Sequence, residues 1–108
     1  ICKEYNRPDD CYELTLLRSF RDNWLSKQPD GEKLIKEYYA TAPQMVSFVD
    51  KLPNHKRIYQ KLNDVYLSRC IFFIENNMPE RCKQKYVEMV QYLDSLKMCF
   101  TNFRMVFN

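Results

Sequence analysis

Asp10-Cys11-Tyr12-Glu13-Leu14-Thr15-Leu16-Leu17-Arg18-Ser19-Phe20-Arg21-Asp22-Asn23-Trp24-Leu25-Ser26-Lys27-Gln28 is the stretch whose reading decides the fold. Asp10 followed three residues later by Glu13 is the pattern of a capping box, in which a side-chain oxygen accepts from an orphan N–H of the first helical turn. Leu16, Leu17, Phe20 and Trp24 then recur at helical spacing, so one face of the helix is apolar enough to anchor a core. Pro29 cannot continue a helix, and Pro29-Asp30-Gly31 reads as a turn in which Asp30 caps the next helix and Gly31 relieves the backbone.

Working outward, Ile1 to Arg7 is mixed and polar and stops at Pro8, which predicts an extended lead-in. Downstream, Leu34, Ile35, Tyr38, Tyr39 and Ala42 form a wide apolar stripe on a second, short helix. Pro43 fits the first turn of a third helix carrying Met45, Val46, Val49 and Leu52 and closed by Pro53. Asn54 is placed to cap a long fourth helix, about residues 54–75, with Ile58, Leu62, Val65, Tyr66, Arg69, Cys70 and Phe73 along its inward side and margins. Asn76-Asn77-Met78-Pro79 breaks it. Asn77 with Glu80 predicts a second capping box, and Cys82, Tyr86, Met89, Leu93, Leu96 and Phe100 continue a heptad-like seam. Phe100, Phe103 and Phe107 keep the same period, so the fifth helix is expected to run on toward the end.

The resulting fold class is all-α: one domain of 108 residues, a compact bundle of about five helices with a long antiparallel C-terminal hairpin. Residues 1–52 supply the shorter helices and residues 53–108 the hairpin and aromatic segment. A chain of this length buries only about two-thirds of the surface its unfolded form exposes, enough for one core. The single glycine argues against Gly-rich phosphate loops and repeated hairpins.

Leu17-Arg18-Ser19-Phe20-Arg21-Asp22 and Tyr38-Tyr39-Ala40-Thr41-Ala42-Pro43 together resemble the bacterial CFI-box family, which shows a Leu-Arg-x-Phe-Arg-Asp helix followed by a Tyr-Tyr-x-x-x-Pro segment. The resemblance covers about Arg7 to Val49. The family's upstream Cys-Phe-Ile block has no counterpart here and would fall just before Ile1. What the resemblance implies is a small helical architecture and a bacterial or mobile-element origin, more than an activity.

The net charge of +3 is a small difference between 17 basic and 14 acidic residues, whereas a nucleic-acid binder usually carries a clustered excess. Ile71-Phe72-Phe73-Ile74 is far short of the roughly 20 apolar residues of a spanning helix, and no leader pattern opens the chain. Ile1 in place of Met is what a processed or trimmed piece of a longer protein would show. Five scattered cysteines, Cys2, Cys11, Cys70, Cys82 and Cys99, do not form a disulfide framework and read as reduced thiols of a cytoplasmic protein. Cys2 and Cys11 have the wrong spacing for a zinc knuckle, and Cys70 and Cys82 fit core packing across the Asn76 turn. No metal or cofactor is expected.

Catalytic patterns are not visible: no His-Glu-x-x-His, no nucleophile with an adjacent histidine motif, no phosphate loop. Arg18, Phe20, Arg21, Asp22 and Trp24 read as a structural set, with Arg18 facing Asp22 at i, i+4. Eight Tyr, seven Phe and one Trp exceed what a small core needs. Tyr38, Tyr39, Phe100, Phe103 and Phe107 are therefore the candidate face for a protein partner or a second copy, and the expected function is a non-enzymatic interaction module, an adaptor or inhibitor. The alternative is a phosphate or nucleic-acid site made by His55, Lys56, Arg57, Lys61, Arg81, Lys83 and Lys85. A third reading is a fragment of an enzyme or self-processing protein whose nucleophile lay in the missing upstream block.

Overall fold

The structure, a computed structural model, describes the backbone of residues 1–107 and the side chains of residues 1–97. Helices make up the described chain, with no strand among the described residues. They are α1 (Tyr12–Asn23), α2 (Gly31–Asp50), α3 (residues 55–75) and α4 (Pro79–Phe107), with a single 3₁₀ turn, Leu25–Lys27, after α1. Four helices replace the expected five because Pro43 lies inside α2 and does not start a new one. Pro43 is exposed, so the Tyr39 carbonyl that it leaves without an intrahelical donor is on the solvent side, where water can satisfy it. The apolar stripe therefore runs unbroken from Leu34 to Val49, the latter fully buried.

Local chemistry at the helix ends departs from the sequence expectation in several places. The N-cap of α1 is Cys11, with no side-chain capping bond, so Asp10 and Glu13 form no capping box. Trp24 leaves helical geometry at φ −127°, ending α1 before Gln28. Gly31 has no positive φ; what it supplies is space. A Cβ there would lie 1.7 Å from the Leu25 carbonyl oxygen, so the start of α2 can press on the 3₁₀ turn only without a side chain. Asp30 and Asn54 occupy N-cap positions but make no side-chain capping bond.

The turn between α3 and α4 is closed on the carboxyl side of α3. Asn77 sits at φ +56°, its N–H donates to the Ile74 carbonyl at 3.1 Å, and the Met78 N–H donates to Phe73 at 2.7 Å. These are the paired bonds of a Schellman motif, with Asn in the left-handed position that its short polar side chain tolerates. Asn77 thus ends α3 and does not cap α4, which starts on Pro79, where a missing N–H costs nothing. The same device closes residues 1–7. Asn6 is at φ +56°, and Arg7 N–H donates to Cys2 at 2.8 Å, so the expected extended lead-in is a compact turn.

α3 is continuous but not uniform: α-helical His55–Lys61 gives way to a π-helical segment, Leu62–Leu67, and then to α-helical Ser68–Glu75. The extra residue per turn shifts the inward face. Ile58 and Tyr59 are buried before it, Leu62 and Leu67 at its two ends, and Cys70 and Phe73 after it, while Val65 within it is left 42% exposed. Two apolar clusters result. One holds Val49, Ile58, Tyr59 and Leu62, backed by Ile1, Tyr66, Met89, Tyr92, Leu93 and Leu96 among others. The second holds Cys70, Phe73 and Cys82, covered by Leu17, Phe20 and Ile74. At about 1.5 Å per residue the 29 residues of α4 account for most of the 47 Å long axis.

Candidate functional site

Arg21, in the last turn of α1, brings the two motifs of the sequence together. Its Nε donates to Asp22 Oδ1 at 2.8 Å, and its Nη1 donates to the Tyr39 hydroxyl on α2. The guanidinium also lies 5.8 Å from the centre of the Tyr39 ring. The Asp22 carboxylate holds Arg21 firmly protonated, and Arg21 in turn lowers the pKa of Asp22. Arg18 does not pair with Asp22 as expected: its Nη1 donates to the Asp9 carbonyl at 2.6 Å, tying the approach loop to α1. Phe20 and Trp24 stack at 5.4 Å, with Phe20 against the second cluster, so these two act in packing.

Tyr38 extends the site onto α4. Its ring meets Tyr39 edge-on at 5.3 Å and Tyr86 at 6.1 Å. Tyr38 and Tyr39 nonetheless remain 43% and 55% exposed, so both present aromatic surface held by neighbours and not collapsed into the core. Burial raises the Tyr38 phenol above its ordinary value, and burial with Tyr38 nearby pushes Tyr86 up to about 12. The Tyr38 and Tyr86 phenols are thus held in their neutral form, beside the fixed Arg21 cation and the exposed ring of Tyr39. The other three candidates for this face, Phe100, Phe103 and Phe107, lie outside the described side chains, although α4 does run to Phe107.

The basic candidates are strung along two helices. Lys61 sits 4.2 Å over the Tyr92 ring, whereas Arg81 is eleven positions earlier than Tyr92, about 16 Å along a helix. Lys83 Nζ donates to Asp30 Oδ1 at 2.6 Å, which lowers the pKa of Asp30 and joins α4 to the start of α2. Lys85 pairs with Glu88 at 2.9 Å and lies over Tyr66 at 5.8 Å. His55 Nδ1 is 2.9 Å from the Leu52 carbonyl oxygen, while Lys56 and Arg57 are exposed.

Two arrangements lay beyond sequence reasoning. Tyr66 and Tyr92 stack at 5.7 Å between Lys61 and Lys85. Tyr59 is buried and donates its hydroxyl to Asp50 at 2.7 Å. The Ile58-Tyr59 pair just before an apolar Leu62 was the available signal, but a uniform 3.6 period assigns the inward positions to Val65 and Arg69 instead. A groove of about 180 Å³ runs between Leu16, Phe20 and Trp24 on one side and Ile74, Asn77 and Pro79 on the other. It is below the about 300 Å³ at which small-molecule pockets begin, and no titratable side chain lines it.

Among the described residues no three metal-ligating side chains cluster, and no helix is long and apolar enough to cross a membrane. The chain matches no known protein family, no curated protein and no solved structure.

Proposed function

We propose that this chain is a non-enzymatic protein-interaction module, of the CFI-box type and of bacterial or mobile-element origin, which docks a protein partner on the Tyr38–Tyr39–Arg21 face. The observation that carries this reading is the pairing of exposure with order: two tyrosines about half exposed are each held by ring contacts, and Arg21 is clamped between Asp22 and Tyr39. Side chains already restrained lose little entropy on binding, and Tyr and Arg are the residues that most often dominate interface energetics. In this reading α3 and α4 act as an antiparallel hairpin that sets Tyr86 behind Tyr38, and the C-terminal phenylalanines extend the face. A reducing cytoplasm suits the odd, dispersed cysteine set.

Phosphate or nucleic-acid binding has less support, since Lys61, Lys83 and Lys85 already have partners within the chain. The test is light scattering on a sizing column together with affinity capture, for the native chain and for a Tyr38→Ala, Tyr39→Ala double variant. Self-association or capture that is lost in the variant is the expected result. A strict monomer that captures nothing, or capture unaffected by the double substitution, overturns the proposal.

A further inference from the structure

We propose that the outer face of α2 is a self-association surface, on which a second copy of this chain packs antiparallel with Pro43 at the two-fold axis. This face shares Tyr39 with the docking surface proposed above, so the proposal rests on that reading and names its partner. Residues 38–49 hold no charged side chain, the longest uncharged run in a chain that is 29% charged. The solvent side of a helix is ordinarily its charged side. Here the inward positions Ile35, Ala42, Met45 and Val49 are half-buried or buried, whereas the outward stripe centred on Pro43 is exposed throughout. Tyr39 on that stripe is 55% exposed and Val46 48%.

What points to a second copy is that the stripe matches itself. Ala40 and Val46 stand three positions to either side of Pro43, Tyr39 and Ser47 four, and Lys36 and Asp50 seven. At about 3.6 residues per turn these offsets stay on one side of the helix. A two-fold axis at Pro43 brings each position level with its counterpart on the partner, the arrangement of an isologous contact. Ala40 is then level with the partner's Val46, and Tyr39 with the partner's Ser47. Each level sets a large side chain beside a small one, which lets two helices interdigitate at close approach. Lys36 is level with the partner's Asp50, so both ends carry a pair of opposite sign. On the flank, Glu37 lies about 3 Å along the axis from the partner's Lys51, adding a second such pair.

Pro43 suits the axis for a backbone reason. The Tyr39 carbonyl, which Pro43 leaves without its helical donor, opens on this stripe. The partner's Ser47 is level with that residue and supplies a hydroxyl donor, so pairing does not strand a buried acceptor. Asp50 already accepts from the Tyr59 hydroxyl at 2.7 Å, and its carboxylate has lone pairs left for the partner's Lys36. Arg21 holds Tyr39 at the edge of the stripe, so this ring is ordered before association. Two stripes about 21 Å long and about 10 Å wide make a contact smaller than the about 800 Å² per partner of a standard interface, so the dimer dissociates on dilution.

The experiment follows the molar mass of the reduced full chain by sedimentation equilibrium from about 1 μM to about 1 mM, where a monomer–dimer equilibrium is the expected result. Ala40→Trp, which puts bulk where the helices meet, should leave helicity unchanged and weaken association at least about a hundredfold. Lys36→Glu and Asp50→Lys each set like charges at both ends and should weaken self-association about tenfold. An equimolar mixture of these two variants should regain the native affinity, because both ends then pair opposite charges. If Asp50→Lys does not fold, Ala40→Trp decides. A native chain that stays monomeric over the whole range overturns this dimer, while capture of a foreign protein through Tyr38 and Tyr39 would still stand by itself. A dimer insensitive to Ala40→Trp, or a folded mixture no tighter than its components, overturns it as well.

Discussion

The two apolar clusters are built on the same helix, α3, yet they are held by different physics. The Val49–Ile58–Tyr59–Leu62 cluster draws on three helices and the first turn, so its stability comes from side chains far apart in sequence. The Cys70–Phe73–Cys82 cluster is small and sits beside a backbone turn closed by the Phe73 and Ile74 carbonyls, with α1 as its lid. The π-helical segment begins at Leu62 of the first cluster and re-aims α3 toward the second. Area burial dominates the first and local backbone hydrogen bonding contributes a larger share of the second. A chain this short can keep two thin clusters instead of one thick core because α3 is common to both.

The largest expected effect breaks the seam on which both clusters depend. Gly31→Ala puts a methyl group 1.7 Å from the Leu25 backbone oxygen, so α2 must pull away from the turn after α1. The loss in a denaturant titration should exceed the about 3 kcal/mol of ordinary overpacking. A variant within about 1 kcal/mol of the native chain would show that the close approach is dispensable.

Next come large-to-small changes, one in each cluster. Ile58→Ala and Phe73→Ala should each cost about 3 kcal/mol, with distinguishable hydrogen-exchange patterns. Ile58→Ala should release the amides around residues 49–62 while those of 70–78 keep protection, and Phe73→Ala should do the reverse. If either change erases protection everywhere, the clusters are one cooperative unit and the contrast fails.

The smallest effect concerns the hydroxyl that edges the first cluster. Tyr59→Phe should cost about 1 kcal/mol, because Asp50 is exposed and water replaces the lost donor. Burial, then the Asp50 carboxylate, raises the Tyr59 phenol well above its ordinary 10. The folded state therefore holds this proton more tightly than the unfolded one. Its contribution is complete below pH 10 and is lost as the pH rises beyond that, so native stability should fall more steeply in alkali than that of the variant. Identical alkaline slopes would mean that the Tyr59 proton is not linked to folding.

Much of this was legible because it depends on local chemistry. The period of Leu16, Leu17, Phe20 and Trp24, the scarcity of glycine and the break at Pro79 required helices, and the Cys82–Met89–Leu93–Leu96 seam does face the clusters. The aromatic surplus marked Tyr38 and Tyr39 as surface candidates. What stayed hidden depends on neighbours that the chain brings from elsewhere. Pro43 passes through a helix because its side faces water, and Gly31 is needed for an approach that only the folded turn creates. Arg21 turns to Tyr39 and Asp22 while Arg18 turns to Asp9, a choice between equivalent guanidinium groups that helical spacing leaves open.

Helical character and its polarity were thus determined by the sequence alone, since propensity, breakers and apolar period act over a few residues. The helix count, the shifted face of α3 and the meeting of Arg21 with Tyr39 were decided only by tertiary structure. Their physical cause is packing, in which a backbone irregularity or a close contact is retained when distant surfaces gain more from meeting than the local chain loses.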